Sequence, residues 1–269
     1  MTTLDGRDGD LSDHCLSDHS AAPEKPPRTP LWTARGALLS IDRRMHFTGL
    51  RGAAWRSLGV TRSPRNPNVC NLCATHVEAG RLSEVSVAFA DCRGYTTLMR
   101  ERGPSAVQPV MDEFFRTCSA IVFRHHGIVD HFLGDAVLAL FNVPIRRDDH
   151  PALAVQTAIE IQRAVPAINA RLGEGDLLKV GVGVSVGLAY CGTVGSKDCK
   201  DYTALGDAVN IASRLQGEAA PGEIIMTEVA YAFVRDAYPH AVERTATLKG
   251  VDEPVKAYVL NPGSSLGLS

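Results

Sequence analysis

The chain has no long uninterrupted apolar run and no strong excess of charge of either sign. Its longest apolar stretch, Val180–Cys191, is broken by glycines and is shorter than the roughly 20 residues that a membrane-spanning helix needs. Lys and Arg number 28 against 30 Asp and Glu, a balance that argues against a nucleic-acid partner. Asp5, Asp8 and Asp10 lie where a secretory signal needs positive charge. These absences predict a soluble, cytoplasmic protein.

The cysteines are few and do not suggest a disulfide framework. There are seven of them, an odd number, and no secretory context accompanies them, so reduced thiols are expected. Cys70 and Cys73 form a C-x₂-C pair with His76 close behind, which supplies three of the four ligands of a zinc site. A complete Zn²⁺ site would need Cys15 or the same segment of a second copy. The simpler interpretation, two ordinary thiols in a linker, is favoured.

Composition divides the chain into three regions. Residues 1–30 are polar and rich in proline, and we expect them to be disordered. Residues 31–83 form a basic linker that carries the C-x₂-C pair, and its part 31–65 mixes aromatic residues with many arginines. Such a stretch can bind an anionic membrane surface, but a connector resting on the main domain is favoured. Residues 84–262 contain the periodic apolar patterns of a globular domain.

The patterns of residues 84–262 predict an α+β sandwich of a mostly antiparallel sheet and flanking helices. A buried strand over 85–90 ends at Asp91, a turn follows over 92–97, and apolar residues then recur with helical spacing from Val107 to Val122. A hairpin pairs 127–132 with 136–141. Three further helices are expected, over 151–166 with or without a kinked extension to 172, over 207–217 with Asp207 as its cap, and over 228–234. Further strands are expected over 177–190, 223–227, 241–248 and 255–260, with a turn over 192–195.

Two acids follow apolar strands beside a glycine. Asp91 ends the first strand, and Asp135 lies 44 residues further on, in the turn of the hairpin. Two strand-end carboxylates brought together by the intervening helix would provide the oxygen ligands that Mg²⁺ and Mn²⁺ prefer, together with substrate phosphates. Backbone N–H groups after Asp91 could then bind phosphate oxygens. The alternative is that both are ordinary acids at strand ends and turns.

Three segments resemble the motifs of class III nucleotidyl cyclases. They are Phe89–Thr96 and Phe132–Phe141, which resemble the two metal-site motifs, and Tyr202–Leu215, which resembles the substrate and transition-state segment. The resemblance extends from about Glu84 to Leu260, roughly two thirds of the chain. It implies a ferredoxin-like core with the adenylate or guanylate cyclase activity.

The resemblance implies an intramolecular attack of the ribose 3′-hydroxyl on the α-phosphorus of a nucleoside triphosphate, with loss of pyrophosphate. Asp91 and Asp135 would hold two Mg²⁺ or Mn²⁺ ions, with the carbonyl of Cys92 as a backbone ligand. Asn210 would orient the ribose, and the guanidinium of Arg214 would stabilise charge on the α-phosphate. The residues expected to bind the triphosphate are Arg93, Gly94, Tyr95, Thr96 and Lys249.

The base-reading positions depart from the usual pattern. Adenylate-type members usually have Lys at the position of His131 and Asp or Thr at that of Thr203, whereas guanylate-type members have Glu and Cys. Thr203 fits the adenine class, and a neutral His131 could donate to adenine N1. His131 could equally be a solvent-facing strand residue. The main hypothesis is therefore an adenylate cyclase, and a guanylate or relaxed-specificity cyclase is its alternative.

In this family the metal aspartates of one subunit work with the base-reading and Asn/Arg residues of the other. The resemblance therefore implies a head-to-tail homodimer with two composite sites and ATP, or alternatively GTP, as substrate. A hypothesis of another class is a catalytically weak nucleotide-binding regulatory module. Because Asp91, Asp135, Asn210 and Arg214 are all retained, the enzyme is favoured.

Overall fold

The computed structural model describes Ser57 and residues 80–172, 177–195, 200–251 and 253–263. The predictions for residues 1–30, the 31–65 stretch and the C-x₂-C pair lie outside these residues. The strands are β1 Arg81–Cys92, β2 Ile128–Leu133, β3 Ala136–Phe141, β4 Val180–Gly195, β5 Lys200–Leu205, β6 Ile224–Thr227, β7 Val242–Ala246 and β8 Val255–Leu260. The helices are α1 Tyr95–Arg102, α2 Pro104–Arg124, α3 His150–Leu172, α4 Asp207–Glu218 and α5 Glu228–Ala232.

All eight strands belong to one sheet. Its order is β2-β3-β1-β4-β6-β8-β7, with β5 paired to the far end of β4. Every pairing is antiparallel except that of β4 with β6. The predicted α+β architecture with a mostly antiparallel sheet is confirmed.

The sheet separates two layers of the core, and the interior strand β1 contributes residues to both. Successive side chains of a strand point to opposite faces of the sheet. Ala88, Ala90 and Cys92 pack into the layer shared with α2 and α3, whereas Val85 and its alternating neighbours pack into the layer that contains residues of α4 and β5. Asp91 continues this second set, so its carboxylate is on the α4 face of the sheet.

Helices α2 and α3 cover the first face; α2 extends beyond the apolar positions Val107 to Val122, and α3 takes the longer of its two predicted lengths, to Leu172. Helix α2 begins with Pro104, a favourable first position because the missing N–H has no partner in the first turn. Helix α3 continues through Pro166 to Leu172, since Val165 and Ile168 are buried on either side of the proline. Tertiary packing here outweighs the lost hydrogen bond. None of the described helices has the length and apolar character required to cross a bilayer.

Three local expectations were wrong. Residues 192–195 do not form a turn, because β4 continues to Gly195 and pairs with β5, a strand that the sequence patterns did not predict. The predicted turn over 92–97 is cut short, because α1 already begins at Tyr95. Asp207 is not the cap of α4, since Gly206 holds that position without a side-chain hydrogen bond and Asp207 lies in the first turn.

Candidate active site

The two predicted metal acids meet at one end of the sheet. Asp91 is the penultimate residue of β1 and pairs with Ala136, the first residue of β3, so Asp135 lies immediately beside this pairing. Burial, followed by the negative charge of Asp91, raises the pKa of Asp135 above its ordinary value. We call Asp91 and Asp135 the carboxylate pair. Two neighbouring negative charges disfavour each other's ionised form, and together they attract a cation more strongly than either charge alone.

Arg93 offsets part of this negative charge. Its guanidinium donates to Asp91 Oδ1 at 3.0 Å, and both side chains are mostly buried. A second nitrogen lies 3.4 Å from the carbonyl of Gly217 near the end of α4. The close approach requires glycine at position 181, since a Cβ there would lie 2.9 Å from Arg93 Nε and equally close to a backbone oxygen. Arg93 is therefore held between the carboxylate pair and the end of α4.

The start of helix α1 lies next to the carboxylate pair in the chain. Gly94 precedes it with a φ of 77°, a left-handed conformation that glycine adopts without the penalty of a Cβ. The N–H groups of Tyr95, Thr96 and Thr97 occupy the first turn, where a helix provides no internal acceptors. Helix N-termini of this kind bind phosphate groups. The segment predicted to bind phosphate therefore forms the start of a helix rather than a longer turn.

Cys92 contributes to this end only through its backbone. Its side chain is buried in the α2 layer, where Sγ lies 3.9 Å from Met111 Sδ. Burial raises the pKa of this thiol far above its ordinary value, so the sulfur is not a ready ligand. A carbonyl oxygen remains as the only ligand type that Cys92 offers.

The donor set of the carboxylate pair fits a hard divalent cation. Within the described ranges no cluster of three His, Cys, Asp or Glu side chains is placed to hold a metal ion. Mg²⁺ commonly binds through one or two carboxylates, with the other positions taken by water and substrate phosphate oxygens. Two acids, a backbone carbonyl and an adjacent phosphate-binding helix start match that mode.

Asn210 and Arg214 lie one turn apart on α4. Asn210 is exposed and Arg214 is half-buried. The guanidinium of Arg214 is directed to the turn before β8, because a Cβ added to Gly250 would lie 3.4 Å from Nη2. Lys249, which precedes this glycine, is exposed. Two predicted triphosphate-contacting cations, Arg214 and Lys249, are therefore brought to the same part of the molecule.

The predicted base-reading residues converge on an acid that the sequence reasoning missed. Thr203 Oγ1 donates to Asp130 Oδ2 at 2.7 Å, and His131 Nδ1 lies 3.2 Å from the same oxygen. The Asp130 side chain is fully buried, whereas that of His131 is 34% exposed. We call Asp130, His131 and Thr203 the Asp130 cluster. The available sequence signal was the acid directly before His131, but nothing in the pattern linked it to Thr203.

The chain matches known cyclases in sequence and in fold. Residues 77–262 match the family model of the adenylate and guanylate cyclase catalytic domain. Adenylate cyclase 1 of Rhizobium meliloti (strain 1021) is 35% identical over 136 residues, which are 50% of this chain and 20% of that protein. The chain thus spans only about a fifth of this relative's length.

Two crystal structures share the fold. The guanylyl cyclase Cya2 is 28% identical with a TM-score of 0.64, and the match covers 71% of this chain and 98% of that one. The adenylyl cyclase CyaB from P. aeruginosa is 26% identical with a TM-score of 0.62, covering 67% and 94%. With its family match and this fold, the chain belongs to the family of adenylate and guanylate cyclase catalytic domains.

Proposed function

We propose that the protein is a metal-dependent adenylate cyclase that converts ATP to cyclic AMP and pyrophosphate in a homodimer. The observation that carries this proposal is the meeting of Asp91 and Asp135 at adjacent strand ends, directly before the start of α1. A carboxylate pair beside a phosphate-binding helix start is suited to a nucleoside triphosphate with its metal ions.

The carboxylate pair and the Cys92 carbonyl would hold two Mg²⁺ or Mn²⁺ ions. When bound, these ions supply a lowered pKa for the ribose 3′-hydroxyl and compensation of the phosphate charge. The N–H groups of Tyr95 and Thr96 bind β- and γ-phosphate oxygens. With a cation bound at Asp91, Arg93 would be available to donate to a phosphate oxygen instead of to Asp91 Oδ1.

Helix α4 supplies the groups that act on the reacting phosphate. Arg214 provides a planar cation of fixed charge, and its packing against Gly250 limits the freedom that it would lose on binding. Asn210, exposed one turn earlier, orients the ribose. Lys249 neutralises the triphosphate from the neighbouring turn. Within one protomer, the cation that pairs with Asp91 is Arg93 rather than Arg214.

We propose that Arg214 of one copy acts on the nucleotide held by the carboxylate pair of the other. An apolar row supports a second copy as the partner. Leu82, Tyr190 and Leu205 are consecutive cross-strand neighbours on β1, β4 and β5, and they are 67%, 42% and 53% exposed. Leu188, on the same strand as Tyr190, is 60% exposed. A contiguous apolar patch of this kind is typical of an interface.

Adenine is the preferred base in this proposal because the hydroxyl of Thr203, a predicted base-reading residue, can accept a hydrogen bond from the adenine amino group. A guanylate or relaxed-specificity cyclase is the second candidate, and His131 in place of Lys is the observation that favours it. Relatives of both kinds share the fold. A regulatory module that binds nucleotide without turnover is the third candidate function.

The test is a cyclase assay with ATP and GTP under Mg²⁺ and Mn²⁺, followed by mixing two inactive variants. Asp91→Asn and Arg214→Ala each remove one half of a composite site. If the two variants are unfolded, mixed in equal amounts and refolded, half of the dimers are mixed and each carries one intact site. Activity should then return to about a quarter of the wild-type value.

The outcomes of the assay and of the mixing experiment distinguish the candidate functions. Absence of any cyclic nucleotide from wild-type protein under all four conditions contradicts the enzyme and supports the binding module. Active wild type with no recovery in the mixture contradicts the shared site alone. As a control, Asp91→Asn mixed with Asp135→Asn should recover nothing, because both variants lack the same half.

A further inference from the structure

The Asp130 cluster contains a residue with no assigned role, and its geometry is unusual. Strand β2 pairs Val129 with Ala139 and then His131 with Leu138, so Asp130 is the extra residue of a β-bulge. Bulges redirect side chains and recur next to functional sites. Here the bulge brings the carboxylate of Asp130 to β5, a strand more than 70 residues away in the sequence, rather than to solvent.

Asp130 also lies close enough to other residues of the β4–β5 hairpin to influence them electrostatically. Burial raises the pKa of the Cys191 thiol to about 11, and the negative charge of Asp130 adds to that rise. The pKa of the Tyr202 hydroxyl is also raised, first by burial and further by Cys191 and Asp130. Cys191 and Tyr202 flank the register position of Thr203. The acid is thus a fixed part of the surroundings of Thr203.

The hydrogen bond to Asp130 determines what Thr203 can offer to a base. A hydroxyl has one hydrogen and two acceptor lone pairs. Thr203 gives its hydrogen to Asp130 Oδ2 over 2.7 Å, so only its lone pairs remain for another partner. The 6-position of adenine carries an amino donor, whereas that of guanine carries an oxygen acceptor. Two acceptors facing each other are unfavourable, so a Thr203 held in this way discriminates amino from oxo.

We propose that Asp130 is a specificity-determining positioning residue, which fixes Thr203 as a hydrogen-bond acceptor and so selects adenine over guanine. The inference rests on the proposed cyclase function and on Thr203 contacting the base. Asp130 itself need not touch the nucleotide. Its carboxylate also lies 3.2 Å from His131 Nδ1.

The experiment compares ATP with ITP, whose base carries oxygen at the 6-position and lacks the 2-amino group of guanine. We expect wild-type protein to prefer ATP in kcat/KM. Asp130→Asn nearly preserves shape but can present its amide hydrogens to Thr203, which frees the hydroxyl to donate. The ATP-to-ITP ratio should fall on the order of tenfold, through loss for ATP and gain for ITP.

Variants of Thr203 complete a double-mutant cycle. Thr203→Val should lower the ratio to a similar extent, Thr203→Ser should keep it, and the Asp130→Asn/Thr203→Val double variant should be no worse than Thr203→Val alone. Glu223→Gln is the matched control, because it removes another largely buried carboxylate, paired with Arg244, and should leave the ratio unchanged. A merely structural role would lower turnover of both nucleotides together.

Each outcome either supports or overturns the proposed role of Asp130. Active wild type whose ATP-to-ITP ratio is unaffected by Asp130→Asn, or is affected additively with Thr203→Val, overturns the role of Asp130 and leaves the cyclase proposal intact. Wild type that forms no cyclic nucleotide overturns the proposed function and this inference with it. If Asp130→Asn fails to fold, Asp130→Ser provides the same test with a smaller side chain, and its thermal unfolding identifies a folded variant.

Discussion

The carboxylate pair and the Asp130 cluster each bring together side chains that are distant in sequence, but they are built in different ways. Asp91 and Asp135 are neighbours because β1 and β3 pair in register: Asp91 lies near the end of β1, and Asp135 directly precedes its partner strand. Asp130 contacts Thr203 because of an irregularity, the bulge in β2, and because the β4–β5 hairpin, which is distant in sequence, packs beside that bulge. In our proposal, the site for the triphosphate therefore follows from regular strand pairing, whereas the site that distinguishes the bases depends on a bulge.

The largest expected effect is at the carboxylate pair. Asp91→Asn should reduce activity with ATP and with GTP by the same factor, at least about a thousandfold, because the metal ions serve the triphosphate and not the base. The ATP-to-GTP ratio of any residual activity should be unchanged. Steady-state assays of both nucleotides measure this directly.

The control for this prediction is Asp149→Asn. Asp149 is an exposed acid paired with Arg147 outside either cluster, so activity should remain within about twofold of wild type. A ratio that changes with Asp91→Asn would mean that the two clusters are not functionally separate.

The next effect concerns the dimer, which in our proposal joins the carboxylate pair of one copy to the Asp130 cluster of the other. Leu205→Asp places a charge in the exposed apolar row and should weaken association, with activity reduced at least tenfold at low protein concentration. Sedimentation velocity should show the monomer. Val242→Asp is the matched control, since Val242 is 66% exposed on β7, away from the row. If Leu205→Asp stays active as a monomer, the composite site is wrong.

A smaller effect is expected at His131, where a substitution should alter the ATP-to-GTP activity ratio more than the overall rate of turnover. His131→Lys restores the longer cation that adenylate-type relatives carry, so it should shift the ATP-to-GTP ratio towards ATP by about tenfold. The KM for ATP should fall while kcat changes less. An unchanged ratio would indicate that His131 is a solvent-facing strand residue.

The contrast between regular strand pairing and local irregularity also explains which features could be predicted from the sequence. The hairpin strand Ala136–Phe141 and the strand Val255–Leu260 were predicted with their observed bounds. The first is uniformly apolar and buried, and the second has apolar residues at alternate positions with Lys256 between them. The carboxylate pair was predicted because each acid lies next to such a strand. Its electrostatic coupling with Arg93 was not, since it depends on the approach of α4 to β1.

The elements that were missed lack a local signal. Strand β5, Lys200–Leu205, contains a single aliphatic pair and a charged start, and its pairing with β4 defines it. Helix α1 is polar and has no buried residue, so periodicity could not reveal it. Asp130 was missed for the same reason, because its importance depends on a bulge and on a partner distant in sequence.

The smallest effect should be one of stability at the carboxylate pair. The pKa of Asp135 is raised in the folded protein by burial and by Asp91, so its protonated form is favoured there relative to the unfolded chain. The resulting stabilisation is fully present below the unfolded pKa, near 3.8, and is lost as pH rises through the folded pKa. Asp135→Asn mimics the neutral form at every pH. It should therefore unfold at a higher temperature than wild type at pH 7.5, although it is inactive.

The difference in melting temperature should be smaller at pH 4.5 than at pH 7.5, because lowering the pH favours protonation of wild-type Asp135, whose pKa is raised in the folded protein. Asp149→Asn should show the opposite sign, because the hydrogen bond from Arg147 lowers the pKa of Asp149, and loss of that charge destabilises the folded state at pH 7.5. Calorimetry of the three proteins at both pH values, without added metal, makes the comparison. If Asp135→Asn is less stable than wild type at pH 7.5, the acids are not close enough to repel one another, and the case for shared cations fails with them.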